Sequence, residues 1–580
     1  MSVAWRPSLR RWQVAPVHQK SVELAAKLRT SPLIAQVLCN RGIADEAQAR
    51  AFLNPKLLNL HDPLLLHDAA KAADLIAAAA TKGRKIVIYG DYDVDGMTAV
   101  AILHACLKML GANVSYYVPH RLEEGYGLND QAVEKIVADG AEMIITVDCG
   151  ISACDAVALA AGRGVDVIVT DHHGVGPSLP PALAVVHPAL GEYPNPHLCG
   201  AGVAFKLAWQ IARSAGGETR VDEPMRKFLL DATCLAALGT IADVVPLVDE
   251  NRVLALHGLR GLRESQHPGL RALIASADLE GKTLDAFHVG FVLGPRLNAC
   301  GRMGHAALAV ELLTDSPAKR CAEIAAYLNE QNTQRQKVER EIAQQASDEA
   351  RQCGMDSPDC KVVVLAGESW HGGVIGIVAS RLVEQFNKPA VLIAFNGDGL
   401  GHGSGRSIPG FDLRAALESC QSHLVSFGGH AMAGGLKIEP SKVKAFAEAM
   451  QEYAASHITD EQLAAPLELD AEATVAAVGP AVVSQLDSLA PFGQGNPPPA
   501  FAFRRLKVMT EPKRMGRGGK AVQFYAAQGE SRIRVVGFAM GDLADSISVG
   551  TMIDAAGRPV LNHFNGSTSV ELILKDVELL

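Results

Sequence analysis

Short apolar runs alternate with helical segments between residues 69 and 186, and this alternation constrains the fold more than any other feature of the chain. Five runs have the β-branched, apolar character of buried strands, and they span 86–89, 114–118, 143–147, 165–170 and 183–186. Helical patterns precede or separate them at 69–80, 98–110, 130–139 and 152–163. Such alternation predicts right-handed crossovers and a mostly parallel, doubly wound sheet.

Acidic residues follow the first of these strands at every second position. Asp91, Asp93 and Asp95 come directly after it, and Gly96 closes the segment. Side chains two residues apart in an extended backbone point to the same side, so three carboxylates converge on one small volume. Oxygen-rich acidic clusters suit Mg²⁺ and Mn²⁺. A solvated acidic turn and a Ca²⁺ loop remain the alternatives, although an EF-hand would need helices on both sides and a Glu at its twelfth position.

Two further strands of the predicted sheet also end in potential ligands. Asp148 follows the third apolar run, and Asp171, His172 and His173 follow the fourth. Doubly wound sheets place their sites beyond the carboxyl ends of the strands, so we expect these side chains to meet. Asp243 lies in an otherwise apolar segment. Because a buried, unpaired carboxylate is costly, we expect a cation or a strong hydrogen-bond donor beside it.

Length and composition indicate a globular protein with several domains. The 580 residues are enough for about three or four domains of ordinary size. No run of eighteen apolar residues occurs, and the first residues lack the apolar core of a secretion signal. The eleven Cys include no C-x-x-C pair, which favours reduced thiols over structural zinc or disulfides. We therefore predict a cytoplasmic protein that does not associate with membranes.

The distribution of charge says more about partners than the net charge of −9 does. Between residues 504 and 534 there are nine basic residues and two acidic ones, which indicates either a phosphate-binding surface or a solvated hairpin. Short strands with basic turns across 466–580, among them 500–503 and 506–509, favour an OB-type barrel, a fold that binds single strands through cations and stacking. Phe524 and Tyr525 are stacking candidates, but adjacent strand residues face opposite sides, so a place in the core is an equal alternative for one of them.

Four motifs carry a resemblance to a known family. GDYDVDG, VDCG, TDHH and GTIADVVPL occur in the order and spacing of the DHH phosphoesterase superfamily, and the chain from about residue 50 to residue 580 resembles its bacterial single-strand-specific exonucleases. The resemblance implies two divalent metal ions, Mn²⁺ or Mg²⁺, that activate water for in-line attack on a phosphodiester. The metal ligands that it implies are Asp93, Asp95, Asp148, His172 and Asp243.

The same resemblance implies roles for neighbouring residues. Asp91 either binds a metal ion or stands directly behind one. His173 reaches the scissile phosphate and counts among the catalytic residues. Asp171 orients a neighbouring imidazole from behind.

Eight residues in four segments are candidate contacts to a DNA strand: Arg121, Tyr126, Arg296, Asn298, Arg302, Ser404, Arg406 and His430. The first two follow a strand end and offer a cation and an aromatic face, although an ordinary loop is the alternative. The next three lie in the segment 294–302, whose arginines suit phosphate contacts. The last three lie among glycines, and the resemblance assigns them to gripping the strand or its 5′ phosphate.

The predicted fold class is α/β: a DHH domain with a doubly wound parallel sheet, a second α/β lobe joined by a long helix, and a C-terminal OB-type barrel. The predicted boundaries are 1–65 for a helical lead-in, 66–316 for the catalytic domain, 317–353 for the connecting helix, 354–460 for the DHH-associated substrate-binding domain and 466–580 for the barrel.

The expected activity is metal-dependent 5′→3′ hydrolysis of single-stranded DNA to mononucleotides in recombination and repair. We expect a monomer that works beside a single-strand-binding protein and a helicase. Two alternatives remain, a phosphodiesterase for short oligonucleotides or cyclic dinucleotides and a non-catalytic replication scaffold. The filled ligand positions argue against the scaffold.

Overall fold

The structure, a computed structural model, describes residues 11–120, 124, 127–216, 221–303, 306–314, 316–395, 399–464, 466–564 and 566–580. Two compact units make up the chain. One comprises Lys56–Ile458, and the other combines Met1–Pro55 with Thr459–Leu580. Within the described residues, no helix combines the length and apolar character needed to cross a membrane.

Residues 11–55 form one short strand and three helices. These are β1 (Trp12–Val14), α1 (Ser21–Leu28), α2 (Pro32–Asn40) and α3 (Glu46–Leu53). The Ser31 side chain caps α2 by accepting from the Leu33 N–H, and Asp45 caps α3 in the same way. Pro32 occupies the first turn of α2, where a missing N–H costs nothing.

A parallel sheet begins the larger unit. Its elements are α4 (Ala69–Thr81), β2 (Ile86–Gly90), α5 (Val94–Met109), β3 (Val114–Tyr117), α6 (Asp130–Ala138), β4 (Met143–Val147), α7 (Cys154–Gly162), β5 (Asp166–Thr170) and β6 (Ala184–Val186). The strand order is β3-β2-β4-β5-β6, and every pairing is parallel. β2 and β4 are buried along their whole length, as expected for strands covered by helices on both faces. The doubly wound sheet predicted from the sequence is confirmed.

Helices follow the sheet. They are α8 (Gly200–Ala215), α9 (Glu223–Ala242), α10 (Asp249–Glu264), α11 (Pro268–Ser276), α12 (Ala286–His288), a π-helical turn (Val289–Leu293), α13 (Gly294–Met303), α14 (Ala307–Leu312) and the long α15 (Ala318–Gln352). α8 and α9 both pack against α5, the helix that follows the acidic segment. One apolar core joins these helices to the sheet.

A second sheet completes the larger unit. Its elements are β7 (Val363–Gly367), α16 (Gly372–Phe386), β8 (Ala390–Phe395), β9 (Gly401–Arg406), α17 (Leu413–Ser419), β10 (Ser426–His430), β11 (Ala433–Ile438) and α18 (Val443–His457). The order is β10-β11-β9-β8-β7. The β7–β8 pairing is parallel, and the remaining pairings of this sheet are antiparallel.

The smaller unit contains a closed barrel. Its later elements are α19 (Asp460–Leu463), β12 (Leu467–Leu469), β13 (Ala471–Glu472), α20 (Pro480–Asp487), β14 (Phe501–Val508), β15 (Lys513–Met515), β16 (Ala521–Gln528), β17 (Ser531–Gly537), β18 (Met552–Phe564) and β19 (Ser567–Leu579). β14 pairs with both β16 and β18, which closes the ring β14-β16-β17-β19-β18. Five strands closed in this order form an OB-type barrel, as the sequence predicted.

The N-terminal segment belongs to this barrel unit. β1 pairs in parallel with β12, with Trp12 opposite Leu467. Leu24, Ile34 and Leu38 share one apolar core with barrel side chains such as Phe501. Residues 11–55 therefore do not stand apart as a lead-in to the parallel sheet.

Candidate metal centre and nucleic-acid interface

Four segments deliver acidic and imidazole side chains to one edge of the parallel sheet. The connections after β2, β4 and β5 carry Asp91, Asp93, Asp148, His172 and His173, and Asp243 directly follows the last residue of α9. Asp95 lies in the first turn of α5, so the extended backbone expected across all three acidic positions is wrong, because the helix begins at Val94. The pairings β2–β4 and β4–β5 are in register up to the last residue of each strand, so these connections leave the sheet side by side. The carboxyl edge of the sheet thus gathers the motifs in space.

The side chains form three overlapping groups whose potential ligand atoms lie within 4.8 Å of one another. The groups are Asp91, Asp93 and Asp148; Asp95, His172 and Asp243; and Asp148, His172 and His173. His172 Nε2 lies 3.0 Å from Asp148 Oδ1, 3.7 Å from Asp95 Oδ2 and 3.7 Å from Asp243 Oδ2. The five side chains predicted to bind metal therefore share one site, and Asp148 and His172 link its parts.

The chemistry of this site fits divalent cations. Asp148 Oδ1 and His172 Nε2 are both buried and face each other, and the described part of the chain gives neither atom a hydrogen bond. Burial, followed by the charges of Asp95 and Asp93, raises the pKa of Asp148 well above its usual value. Burial and the charge of Asp95 raise the pKa of Asp243 to about 8. The raised pKa values show that the ionised carboxylates are destabilised by burial and by their mutual repulsion. Divalent cations bound among them would stabilise the ionised forms.

His172 and His173 differ in charge because their partners differ. Burial lowers the pKa of His172, which favours the neutral imidazole that can bind a metal ion. Burial also acts to lower the pKa of His173, but its hydrogen bond to Asp171 and the charge of that carboxylate raise the value to about 9. The His173 Nδ1 to Asp171 Oδ1 distance is 2.8 Å. This raised pKa favours the positively charged imidazole of His173 at neutral pH.

Asp171 is fixed by several donors. Besides His173, it accepts hydrogen bonds from the backbone N–H groups of His172 and Ile151. Burial acts to raise its pKa, but the hydrogen bond and charge of His173 bring the pKa below its usual value. The contact predicted from the sequence, a carboxylate behind an imidazole, is present.

A helix terminus that the sequence reasoning missed holds Asp95. The Gly200 and Ala201 N–H groups, at the start of α8, donate to the two oxygens of Asp95 at 2.5 and 2.8 Å. This contact satisfies backbone groups that a helix start leaves unpaired and places the carboxylate at the positive end of the helix dipole. A Cβ at Gly200 would lie 2.5 Å from the Asp148 Cβ, so the close approach requires glycine. The run CGAGV at 199–203, small residues at a helix start, is the signal that could have indicated it.

Two non-glycine residues of the site have a left-handed backbone. Asp148 has φ 61°, and so does Val244, the residue after Asp243. This conformation is unfavourable for a residue with a Cβ and especially for a β-branched one. Such strain is concentrated at functional sites, where the surrounding structure holds it in place.

Comparison with known proteins agrees with this geometry. Family models match three parts of the chain: the DHH family N-terminal domain at residues 85–237, the DHHA1 domain at 359–456 and the RecJ OB domain at 469–576. A curated relative from Bacillus subtilis, named single-stranded-DNA-specific exonuclease RecJ, is 37% identical over 98% of this chain and 70% of its own length. The chain belongs to the RecJ family.

Solved structures of the RecJ family give the same result. RecJ from Thermus thermophilus in complex with Mn²⁺ matches with a TM-score of 0.83 and 32% identity, over 98% of this chain and 79% of that one. The complex with Mg²⁺ from the same organism matches with a TM-score of 0.78 and 31% identity, over 98% of this chain and 78% of that one.

The α13 segment of this RecJ-family chain packs onto the acidic loop. Asn298 Oδ1 accepts the Val94 N–H at 3.0 Å. A Cβ at Gly301 would lie 2.6 Å from the Tyr92 carbonyl oxygen. Arg296 donates to the Asn329 side chain and to the Val292 carbonyl, so part of its guanidinium is engaged inside the protein. The backbone of Arg302 lies in α13, and its side chain is not among the described groups.

The RecJ-family second sheet places the three candidates of that lobe on one face. Ala433 on β11 lies opposite both Arg406 on β9 and His430 on β10, and cross-strand partners share a face. Ser404, two residues before Arg406, lies on the same side, and the Arg406 Nη1 donates to its Oγ at 3.2 Å. A Cβ at Gly376 on α16 would lie 2.8 Å from Ser404 Oγ and 3.1 Å from Arg406 Nη2, so α16 covers this face at β9. A side chain at Gly428 would meet nothing within 4 Å, so the face is open at β10.

The barrel shows which of the two stacking candidates belongs to the core and which of its basic residues are paired. Phe524 is 2% exposed and belongs to the core, whereas Tyr525 is 49% exposed. Three of the basic residues are paired inside the unit: Arg504 with Asp554, Arg514 with Asp545 and Arg534 with Glu571. The basic surface is therefore weaker than the sequence count indicated. Arg121 and Tyr126 lie outside the described residues.

Proposed function

We propose that this chain is a metal-dependent exonuclease that degrades single-stranded DNA from its 5′ end and releases 5′-mononucleotides. The observation that carries the proposal is the single site shared by the side chains of four motifs, with distances of 3.0–3.7 Å from His172 Nε2 to three carboxylates. The name of the Bacillus subtilis relative supports the substrate class. The 5′→3′ polarity rests on resemblance to the family.

In this proposal Asp93, Asp95, Asp148, His172 and Asp243 hold two divalent ions, and Asp91 binds one of them or stands behind it. The Mn²⁺ and Mg²⁺ complexes of the Thermus thermophilus protein support these metals. When bound, such ions supply an activated water and stabilise the displaced oxygen of a phosphodiester.

The chain's own residues prepare the reaction. The α8 terminus fixes Asp95 through two N–H groups, so its carboxylate is oriented before substrate arrives. Asp171 holds His173 through Nδ1, and the positive imidazole suits a non-bridging oxygen of the scissile phosphate. The facing atoms Asp148 Oδ1 and His172 Nε2 are both buried, so bulk water has little access to them.

We assign substrate binding to the face of the second sheet that β9 and β10 share, beside α16. Ser404, Arg406 and His430 would hold the strand or its 5′ phosphate, since a guanidinium, a hydroxyl and an imidazole share that face beside glycines. Arg296 and Arg302 remain candidates for phosphate contacts, as do Arg121 and Tyr126 for the entering strand. For Asn298 the contact to the acidic loop supports a positioning role.

The experiment offers 5′-labelled single strand, the matching duplex and a cyclic dinucleotide, each with Mn²⁺. Rapid release of labelled mononucleotide from the single strand alone supports the proposal, and a 3′-labelled copy tests the polarity. Asp148→Asn should abolish release, whereas Asp139→Asn, an exposed aspartate after α6, should not change it. Preferential hydrolysis of the cyclic dinucleotide, or tight binding of DNA without cleavage, would contradict the assignment.

We further propose that the enzyme acts in the cytoplasm beside a single-strand-binding protein and a helicase. The reason is the source of the substrate. An enzyme that acts on unpaired DNA needs a duplex to be opened and its strands to be kept apart. Faster degradation of a nicked duplex when a helicase and the binding protein are added together would support this arrangement. An unchanged rate would count against it.

A further inference from the structure

Two exposed phenylalanines stack on each other at the edge of the helical region. The rings of Phe287 and Phe291 have centroids 5.0 Å apart and planes 25° apart. Their side chains are among the exposed large apolar groups, with residue exposures of 60% and 70%. Exposed apolar groups scattered singly are ordinary, but a paired, flat aromatic surface indicates a contact site.

The pair is held in place by the backbone on which it sits. Asp285 caps α12 by accepting the His288 N–H at 3.0 Å, and His288 Nδ1 lies 2.5 Å from the same carboxylate oxygen. Phe291 lies on the π-helical turn that follows, and π-helical turns occur frequently at functional sites. The two rings therefore form a defined platform.

The platform is attached to the wall of the metal centre. The π-helical turn packs against α9, the helix that directly precedes Asp243. A Cβ at Gly294, where the turn passes into α13, would lie 3.7 Å from the Ala242 Cβ and 3.8 Å from the Val94 Cγ2. Ala242 precedes Asp243, and Val94 lies between Asp93 and Asp95. One short segment thus connects the aromatic pair to two of the metal-binding motifs.

We propose that Phe287 and Phe291 form a stacking platform for an unpaired base of the DNA strand next to the metal centre. The inference rests on the proposed function and adds a specificity determinant to it. Every nucleobase has a π face, so stacking accepts any sequence. A base within a duplex is already stacked and paired, so it can reach the platform only after being unstacked, and the pair therefore favours single strands.

The test combines ring substitutions with base removal. Oligonucleotides that carry one abasic residue at successive positions from the 5′ end are compared with the intact strand for binding without metal and for KM with Mn²⁺. For the unmodified chain, one or two adjacent abasic positions should weaken binding roughly tenfold, the size expected for one stacked base. In Phe287→Leu/Phe291→Leu the intact strand should bind that much more weakly, and the abasic effect at those positions should disappear.

Conservative and remote substitutions serve as controls. Phe291→Trp should restore affinity and the abasic effect, because the indole is a larger stacking surface. Leu58→Ala removes an apolar side chain that is 92% exposed and lies in none of the proposed binding surfaces, and it should leave both unchanged. Thermal unfolding of each variant shows whether it is folded, which is expected because the rings are largely in solvent.

The outcomes separate the two proposals. If the unmodified chain does not degrade single strands, the proposed function is wrong. If it does degrade them but no abasic position weakens binding, the platform proposal is wrong. It is also wrong if abasic residues at the same positions weaken binding to the Leu variant as much as to the unmodified chain. Unchanged DNA binding by the Leu variant would also overturn the inference.

Discussion

At the scale of single residues, Gly200 is where a side chain would do most damage to the site. Its missing Cβ leaves room for Asp148, whose Oδ1 would lie 2.7 Å from the added atom. Gly200→Ala should displace either Asp148 or the N–H that donates to Asp95, and we expect Mn²⁺ affinity to fall about 10- to 100-fold, as for loss of a group that orients a ligand. Calorimetric titration with Mn²⁺ measures it.

The matched control for that change is Gly162→Ala at the end of α7. A Cβ there would meet nothing within 4 Å, and the glycine has no left-handed backbone. Mn²⁺ affinity should stay unchanged while stability rises slightly, because alanine favours a helix over glycine by about 0.5–1 kcal/mol. Equal metal affinity in the two variants would mean that the tight packing at Gly200 does not matter.

Asp243 makes the stability of the metal-free protein depend on pH. Its pKa rises from 3.8 to about 8 on folding, so the folded state holds this proton more tightly than the unfolded state. Its contribution is therefore complete below about pH 4 and is lost as pH rises through about 8. In EDTA, the thermal unfolding midpoint should decrease as the pH is raised from 6 to 8.5. In Asp243→Asn this decrease should be smaller.

Metal should reverse the trend, since cations bind the ionised cluster. At one fixed Mn²⁺ concentration the stabilisation should be larger at pH 8 than at pH 6, because the ionised cluster binds Mn²⁺ more tightly. A concentration a hundredfold above the dissociation constant at pH 8 should raise the unfolding midpoint there by roughly 3 °C. Thermal unfolding with and without Mn²⁺ at both pH values measures it. A Mn²⁺ effect that shrinks as pH rises would contradict a carboxylate site.

At the scale of elements, a buried ion pair fixes the helix that supports Asp95. Lys206 on α8 and Glu250 on α10 are fully buried, with their charged atoms 2.6 Å apart. Lys206 also donates to the His61 carbonyl, and the Tyr193 hydroxyl donates to Glu250. Glu250→Gln should cost about 3–5 kcal/mol of unfolding free energy, because it leaves the lysine charge buried without its partner.

Chemical denaturation of Glu250→Gln beside Glu264→Gln checks this. Glu264 lies on the same helix in an exposed position, so its substitution should change stability by less than about 0.5 kcal/mol. We also expect Glu250→Gln to weaken Mn²⁺ binding, since the α8 terminus contacts Asp95. Similar denaturation midpoints for both variants would mean that the pair does not fix α8.

The sequence predicted the elements that carry strong local patterns. Short β-branched, apolar runs predicted the parallel strands, and the rule for strand ends predicted that Asp95, Asp148 and His172 would meet. The contact between α8 and Asp95 was not predicted, because its donors are backbone N–H groups and no side-chain motif indicates them. The exposed pair Phe287 and Phe291 was not predicted, because phenylalanines in a helical region usually belong to the core. Whether they are exposed depends on tertiary packing.

Backbone irregularity explains a different miss. The sequence indicated two strands at 500–503 and 506–509, whereas β14 is continuous from Phe501 to Val508 with a register shift between Phe503 and Leu506. Arg505 has φ 54° there. A bulge of this kind changes the direction of side chains without ending the strand. In the sequence, the basic pair Arg504 and Arg505 between two apolar runs indicated a turn.

At the scale of the whole molecule, the two ends of the chain fold together. β1 pairs with β12, and the core under the barrel takes side chains from α1 and α2. No local pattern predicts such a pairing, because it joins segments that lie on either side of the larger unit in sequence. The first 55 residues should therefore control the stability of the barrel unit and leave the metal centre unaffected.

Leu38→Ala tests this division. Leu38 is fully buried in the core shared with Phe501, so its truncation should cost about 2–5 kcal/mol of unfolding free energy. Calorimetry should show two transitions, and Mn²⁺ should raise the one that belongs to residues 56–458. Leu38→Ala should lower the other transition without changing Mn²⁺ affinity, whereas Leu107→Ala, fully buried on α5, should lower the Mn²⁺-sensitive one. If both substitutions shift the same transition, the chain unfolds as one unit and residues 11–55 stabilise the metal centre as well.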